Sequence, residues 1–336
     1  RAASLNTITE ALSDFDPRAG ISSNIYSFEY SGSNIYCGGQ FSILSSISRS
    51  CIASFDKNTN TLLPFNPNVS AGGIVYSLLL SGSNLYLGGN FTTVSGTTRN
   101  RIACVDKDSG ALLPFDPNAG GVVYSLLLSG SSLYLGGAFS TVSGTTKNRL
   151  AVVDKDSGAL LPLDISGSNG STGVRCMVLS GSSLYIGGDF TTISGTTRNR
   201  IAAVDKDTGV VLPFNPNCNN VINAMILSGS NLYLGGTFTT VSGTSRNRIA
   251  AVNKNSGALL PFNPNITGTV SALELSNINS NLYIGGVFNF ISGSFRTNFA
   301  TVDKDSGALL PFNPGIMGGS SSGSVLSLCL SGSNLY

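Results

Sequence analysis

Apolar and polar positions alternate along this chain in short runs, and the same runs return about every 50 residues. In the stretch Ile74 to Asn118, Ile74-Val75-Tyr76-Ser77-Leu78-Leu79-Leu80 is an apolar, branched run of strand length. It is closed by Ser81-Gly82-Ser83-Asn84, which has turn chemistry. Leu85 to Phe91 predicts a second strand, whose paired Gly88 and Gly89 mark a bulge or a place where a neighbouring backbone comes close. Thr92 to Asn100, with Ser95-Gly96 inside it, reads as a polar connection longer than a tight hairpin. Arg101 to Lys107 alternates as a third strand, Asp108-Ser109-Gly110 turns the chain, and Ala111 to Phe115 predicts a fourth strand. Pro114 and Pro117 lack the N–H that a ladder needs, which places the fourth strand on an edge. No segment carries a 3.6-residue apolar period, so no helix is expected.

The motif Leu-Tyr-Leu-Gly-Gly-x-Phe sets its tyrosine at Tyr36, Tyr86, Tyr134, Tyr185, Tyr233, Tyr283 and Tyr336. Four short antiparallel strands per unit, with proline in the last, make the blade of a β-propeller; solenoid rungs are much shorter. The expected fold is therefore all-β, a seven-bladed β-propeller of four-stranded antiparallel blades. Arg1 to Pro17 aligns without a gap on Arg101 to Pro117, while Ser324 to Tyr336 repeats a first strand and the start of a second. The ring is expected to close by these N- and C-terminal segments sharing one blade, which removes free sheet edges. Residues 1–336 then form a single propeller: 1–20 and 324–336 share the closing blade, and the others span approximately 21–70, 71–120, 121–168, 169–219, 220–267 and 268–323. Counterparts of Leu87 to Asn100 are missing from the seventh unit, as expected for part of a longer array, for chain ends that are unresolved, or for a place that another molecule fills.

Composition narrows the function. Charged residues make up 11% and the net charge is +2, so there is no electrostatic case for nucleic acid. No apolar stretch approaches the roughly 20 residues of a membrane span. Arg99-Asn100-Arg101 and its copies (Lys147/Arg149, Arg198/Arg200, Arg246/Arg248) are expected to pair with the Asp-Lys-Asp turn of the same or the adjacent blade. Six cysteines are scattered over different repeat positions; Cys37 and Cys51, on adjacent strands of one blade, are the favoured disulfide pair. Four sequons occur, at Asn68, Asn90, Asn169 and Asn265. Together with the polar, low-charge surface, the cysteines favour an extracellular or cell-surface, secreted protein.

Catalytic chemistry is thin. The absence of histidine removes Ser-His-Asp and Cys-His arrangements and the usual zinc sets. Asp106-Lys107-Asp108-Ser109-Gly110 and its copies at Asp154, Asp205 and Asp303 start like a calcium loop. They bring only two carboxylates, however, and one copy reads Asn253-Lys254-Asn255, so a self-capped turn is expected. Glu10, Glu29 and Glu274 fall at unrelated repeat positions. The repeated tyrosines and the Phe91-type residues read as inter-blade core. No catalytic, metal or cofactor-binding residue is assigned, and no cofactor is expected.

LYLGGNFTTVSGTTRNRIACVDKDSGALLPFDPN, Leu85 to Asn118, resembles the bacterial delta-60 (DUF5122-type) propeller repeats, and distantly the fungal cortical-marker propellers. The resemblance runs over essentially the whole chain. The family aromatic after Leu-x-Pro is often Trp; here it is Phe65, Phe115, Phe214, Phe262 and Phe312, with Leu163 the exception. The resemblance implies a secreted or surface propeller, often a module of a larger protein, with no catalytic residues to carry over. Two functions are then open. One is a self-assembling filament, sheath or surface-layer subunit that binds itself or other surface proteins. The other is a recognition module that takes a glycan or protein through Ser166 to Gly173, Cys218 to Asn220, Ser276 to Ser280 and Ile316 to Gly323.

Overall fold

The structure, a computed structural model, describes residues 4–8, 24–168, 173–314 and 323–336. Two compact units divide the chain: Arg1–Thr7, Leu12–Ser166 and Asn334–Tyr336 form one, Ile8–Ala11 and Gly167–Ser333 the other. The first unit carries three repeated three-stranded antiparallel sheets: Asn24–Ser31, Asn34–Gln40 and Ile52–Asp56; Ile74–Ser81, Asn84–Asn90 and Ile102–Asp106; Val123–Ser129, Ser132–Gly137 and Leu150–Asp154. The second unit repeats the pattern with Gly173–Ser180, Ser183–Asp189 and Ile201–Asp205, then with Ile222–Ser228, Asn231–Gly236 and Ile249–Asn253. Its last sheet has Ile266–Leu275, Asn281–Ile291 and Phe299–Asp303, joined by the short strand Ser294–Phe295. The described residues form an all-β chain without helices.

Local chemistry explains each strand boundary. Gly82, at φ 63°, takes the first central position of the two-residue turn between Ser81 and Asn84, the place where a tight hairpin wants glycine. Register then slips between Val75 and Ser77, leaving Tyr76 in a bulge, and the slip recurs in every inner strand. The paired glycines serve both expected purposes. A Cβ on Gly89 would stand 2.1 Å from the Ile74 carbonyl oxygen at the bulge. One on Gly88 would stand 2.9 Å from Val123 Cγ1, so the close neighbour there is a side chain of the following sheet.

Two sequence expectations change. Thr92 to Asn100 is not a loose connection: Thr93–Val94 pairs with Thr97–Thr98 around Ser95-Gly96, whose φ values of 50° and 75° make a tight turn. Serine holds this strained place because its Oγ donates to the Pro67 carbonyl at 2.8 Å while Val94 is buried. Ser143, Ser242 and Ser292 repeat the bond, to Pro117 at 2.9 Å and to Pro216 and Pro264 at 2.7 Å. The second correction concerns the four-stranded blade. Except in the last sheet, three strands form the ladder, and the expected fourth, Ala111 to Phe115, makes one isolated bridge, Val105 to Leu112. Pro114 cannot donate, so the segment keeps two backbone bonds to the third strand, from the Asp106 N–H to the Ala111 carbonyl at 2.8 Å and from the Leu113 N–H to the Cys104 carbonyl at 2.9 Å, and the Leu113 carbonyl also accepts from Arg99 Nη2 at 3.4 Å.

The same observation corrects the expected partner of the basic residues. Their role is structural, but the first basic residue of each copy clamps the fourth segment rather than the Asp-Lys-Asp turn: Arg49, Arg198 and Arg246 donate to the carbonyls of Leu63, Leu212 and Leu260, each just before its proline, at 3.1, 3.0 and 3.2 Å, and Lys147 donates to that of Leu163, just after Pro162, at 3.1 Å. Arg99 adds an ion pair with Asp116 at 3.5 Å. Replacing Arg198 by alanine frees a carbonyl from a charged donor and is expected to cost about 1.5 kcal/mol. Denaturant unfolding with an unchanged far-ultraviolet spectrum checks this.

The core lies between consecutive sheets. Tyr36 and Ile52 of the first sheet pack with Val75, Leu78, Leu85, Leu87 and Val105 of the second. Tyr86, Ile102 and Cys104 pack in the same way on the third, as Tyr185 and Tyr233 do in the other unit. One further pairing is non-local: Leu5–Asn6 runs antiparallel to Asn334–Leu335, Leu5 opposite Leu335 and Asn6 opposite Asn334. It repeats the register by which Val105 faces Leu85 and Asp106 faces Asn84. Tyr336 packs in the cluster of Ile25, Ile35 and Cys37.

Candidate interaction surface

The repeated tyrosines are scaffold, as expected. Tyr86, Tyr185 and Tyr233 are buried, and each hydroxyl donates to a backbone carbonyl of the following repeat: Lys155 at 2.9 Å, Lys254 at 2.8 Å and Lys304 at 2.9 Å. Their rings meet Phe115, Phe214 and Phe262 edge-on at 5.2 to 5.3 Å. The lysine whose carbonyl is held sits in the Asp-Lys-Asp turn, and that turn caps itself. Asp106 Oδ1 accepts from the Asp108 and Ser109 N–H groups at 3.2 and 2.8 Å and from Ser109 Oγ at 2.6 Å. Asp154, Asp205 and Asp303 do likewise, and Asn253 takes the same place in the copy that lacks carboxylates. No group of three or more metal-ligating side chains forms among the described residues.

The cysteines are all free thiols, so the expected Cys37–Cys51 disulfide is absent. Cys51 stands in the left-handed region, φ 64°, just before its strand, and its Sγ donates to the Gly73 carbonyl at 3.0 Å. That turns it into the core toward the second sheet, while Cys37 lies in the cluster on the other side with Ile35 and Phe55. Burial pushes the Cys37, Cys104, Cys176 and Cys218 thiols up to about 12, which leaves them unreactive.

Of the loops singled out for recognition, residues 169–172 and 316–322 lie outside the described residues, as do Asn169 and Glu10. Cys218 to Asn220 is a structural joint: Asn219 Oδ1 accepts from the Thr239 and Thr240 N–H groups at 2.9 and 3.0 Å. Ser276 to Ser280 is a turn held by Ser276 Oγ, with Ile278 exposed at its tip. The surface that sequence reasoning missed is on the short hairpins. Thr93 faces Thr98 in the second repeat; in the sixth, Phe290 faces Phe295. These two rings touch at 5.5 Å and are 45% and 58% exposed, with Val287 on the same ribbon 44% exposed. In the first repeat, Ile43 and Ile47 of the corresponding hairpin are each 48% exposed. The change from Thr to Phe or Ile was visible in the sequence; its exposure was not.

The glutamates also need correction. Glu29 and Glu274 occupy one and the same structural position, each directly opposite its motif tyrosine, Tyr36 or Tyr283. The longer turn at Ser276 to Ser280 hides this when positions are counted along the chain. Burial raises both carboxyls from 4.5 to about 7, against the opposing effect of backbone N–H donors. The turn aspartates move the other way: hydrogen bonds within the turn hold Asp303 at about 2 and lower Asp106, Asp154 and Asp205 from 3.8. Because folded Glu29 and Glu274 bind protons that the unfolded chain gives up, stability falls as pH rises from 4.5 through about 7. The aspartates take stability away as pH falls from 3.8 toward 2. Unfolding measured across pH is expected to show its maximum between 3.8 and 4.5, rather than near neutrality.

Comparison with known proteins agrees with this geometry. Residues 84–110 match the family described as "Domain of unknown function (DUF5122) beta-propeller". No curated protein matches the sequence. Among solved structures, a chain of the mitotic checkpoint complex superposes with a TM-score of 0.63 at 14% identity, over 97% of this chain and 94% of that one. The WD40 β-propeller domain of Doa1 gives 0.60 at 14%, over 94% and 90%. The computationally designed Ika8 protein gives 0.56 at 14%, over 94% and 92%. The matched repeat and these neighbours support a propeller repeat family for the chain.

Proposed function

We propose that the chain is a non-enzymatic protein-interaction propeller of the cell surface or extracellular space, with seven repeats closing a ring through the Leu5–Asn6 and Asn334–Leu335 pairing. The observation that carries the interaction reading is the exposed Phe290–Phe295 pair on a hairpin that is Thr–Thr in other repeats. Apolar side chains presented on a rigid ribbon have the character of interface anchors. The fold supports the reading too, since one structural neighbour is a chain of a protein complex. Self-assembly into a filament or sheath is the form of this function in which the partner is another copy. It would run through such hairpins, because Pro114-type residues and the arginine clamp blunt the outer sheet edges.

The test pairs Phe290→Thr/Phe295→Thr with the wild type, both in sedimentation velocity over a wide concentration range and in cross-linking within the native extract. Exposed positions tolerate the change, so unfolding should stay the same while association with self or partner weakens at least tenfold. Equal association by both proteins would sink the proposal.

A further inference from the structure

Each of the six described ladders carries a cross-strand row of three residues centred on its motif tyrosine. In four repeats the row is apolar apart from the tyrosine or ends on a thiol: Leu79–Tyr86–Cys104, Leu127–Tyr134–Val152, Val178–Tyr185–Ala203 and Ile226–Tyr233–Ala251. In the first and sixth repeats it is polar throughout: Glu29–Tyr36–Ser54 and Glu274–Tyr283–Thr301. Directly opposed residues share one face of an antiparallel sheet, and Tyr36 packs on the second sheet. The first row therefore looks into the seam with the next repeat. Glu29 accepts the backbone N–H of Tyr30 on its own strand and that of Leu80, and Glu274 accepts that of Leu330; Leu80 and Leu330 are equivalent residues of the following segments. Ser54 Oγ, Thr301 Oγ1 and Tyr283 OH are buried and have no partner among the described residues. A buried hydroxyl left unmatched is costly, and a seam lined by a carboxyl and hydroxyls offers a water the two to four partners it needs.

We propose that these two rows are hydrated, proton-responsive seams: the neutral carboxyl and an ordered water close the seam in mild acid, and ionisation of the glutamate loosens it. In the closing step a hydronium ion gives its proton to the carboxylate and leaves as water, so nothing else is consumed. When ionised, the carboxylate is drawn toward solvent and releases the Leu80 or Leu330 N–H. The raised carboxyls described above accord with this placement: burial raises them, the N–H donors oppose the rise, and no charged side chain contributes. The groups around Glu29 are Tyr26 and Tyr30 on its own strand, Tyr36 and Cys37 on Asn34–Gln40, and Tyr76 on Ile74–Ser81. Around Glu274 they are Tyr283 on its paired strand, Tyr233 on Asn231–Gly236, and Cys329 beside Leu330. Asp56 and Asp303, further along the outer strands, are held in their own turns. Lys107, Asp106 and Asp108 of the second repeat act on the Tyr36 hydroxyl.

The experiment is amide hydrogen exchange at Leu80 and Leu330 at pH 5 and pH 8, corrected for intrinsic rates, with Leu128 as the amide beside an apolar row. Protection at Leu80 and Leu330 is expected to fall at least tenfold at pH 8, with Leu128 unchanged. Glu29→Leu and Glu274→Leu restore the residue type of the other repeats and so should fold; each should abolish the effect at its own seam. Carboxyl carbon resonances should titrate near 7, and a crystal structure at pH 5 should show water at Thr301 Oγ1. Titration near 4.5, a dry seam, or a pH effect that survives the substitutions would overturn the proposal.

Discussion

Gly89→Ala is expected to lower stability by about 3 kcal/mol, at the upper end of what overpacking usually costs. The new Cβ would stand 2.1 Å from the backbone oxygen of Ile74, an atom that cannot rotate away. It would also press on Phe91 Cδ1 at 3.0 Å. The ladder would have to open at the bulge that carries Tyr76, and five further copies of the motif have the same construction: Gly39, Gly137, Gly188, Gly236 and Gly286 all meet a carbonyl oxygen in or next to the inner strand at 2.0 to 2.1 Å. Gly88→Ala is the internal control. Its Cβ meets the Val123 side chain, which can shift, so the loss should be clearly smaller. Denaturant midpoints of the two variants decide the point; equal losses would mean that the bulge carbonyl is not what demands glycine.

Tyr233→Ala should cost about 4 kcal/mol and Tyr233→Phe about 1 kcal/mol. The alanine removes a buried ring that packs edge-on against Phe262 at 5.3 Å, leaving a cavity between two sheets. The phenylalanine keeps the ring and loses only the hydroxyl's bond to the Lys304 carbonyl at 2.9 Å and its contact with Asn231. A Phe variant as damaged as the Ala variant would show that the polar link to the next repeat's turn outweighs packing. The equivalent hydroxyl of Tyr283 has no partner among the described residues, so Tyr283→Phe should cost less than Tyr233→Phe.

Much of the fold was legible because strand length, hairpin glycine and the paired glycines are local signals that the repeat states many times over. Self-capping of Asp106 and burial of Tyr86 followed from the same redundancy. What could not be read were the places where a side-chain bond supplements the backbone pairing. Pro114 announced an edge, but not that the fourth strand would shorten to one bridge, Val105 to Leu112, with Arg99 donating to the Leu113 carbonyl beside it. Ser95-Gly96 looked loose because serine is a poor left-handed residue; its bond to Pro67, in the preceding repeat, makes the turn tight. Cys37 and Cys51 are neighbours in sequence terms, yet one positive φ at Cys51 sends the two thiols to different cores. Glu29 and Glu274 were misplaced because the insertion at Ser276 to Ser280 breaks the count along the chain but not the register across the sheet.

The interaction surface was the least legible part. Phe290 and Phe295 look like core residues in a linear reading, since Phe288 two positions earlier is core. A register slip along Asn281–Ile291 decides it: Phe290 lies opposite Thr267 and Phe288 opposite Gly268, with Asn289 skipped, so Phe288 and Ile291 are buried while Val287 and Phe290 are exposed.

Closure of seven repeats into a ring is the part of the proposal drawn from the pairing of Leu5 with Leu335. Electron microscopy of the isolated, unreduced protein tests it most directly. Class averages viewed down the axis should show closed rings with seven radial densities, and a Leu5→Cys/Leu335→Cys variant should oxidise to a cross-linked chain without altering them. Open arcs, or rings with another number of densities, would contradict the closure.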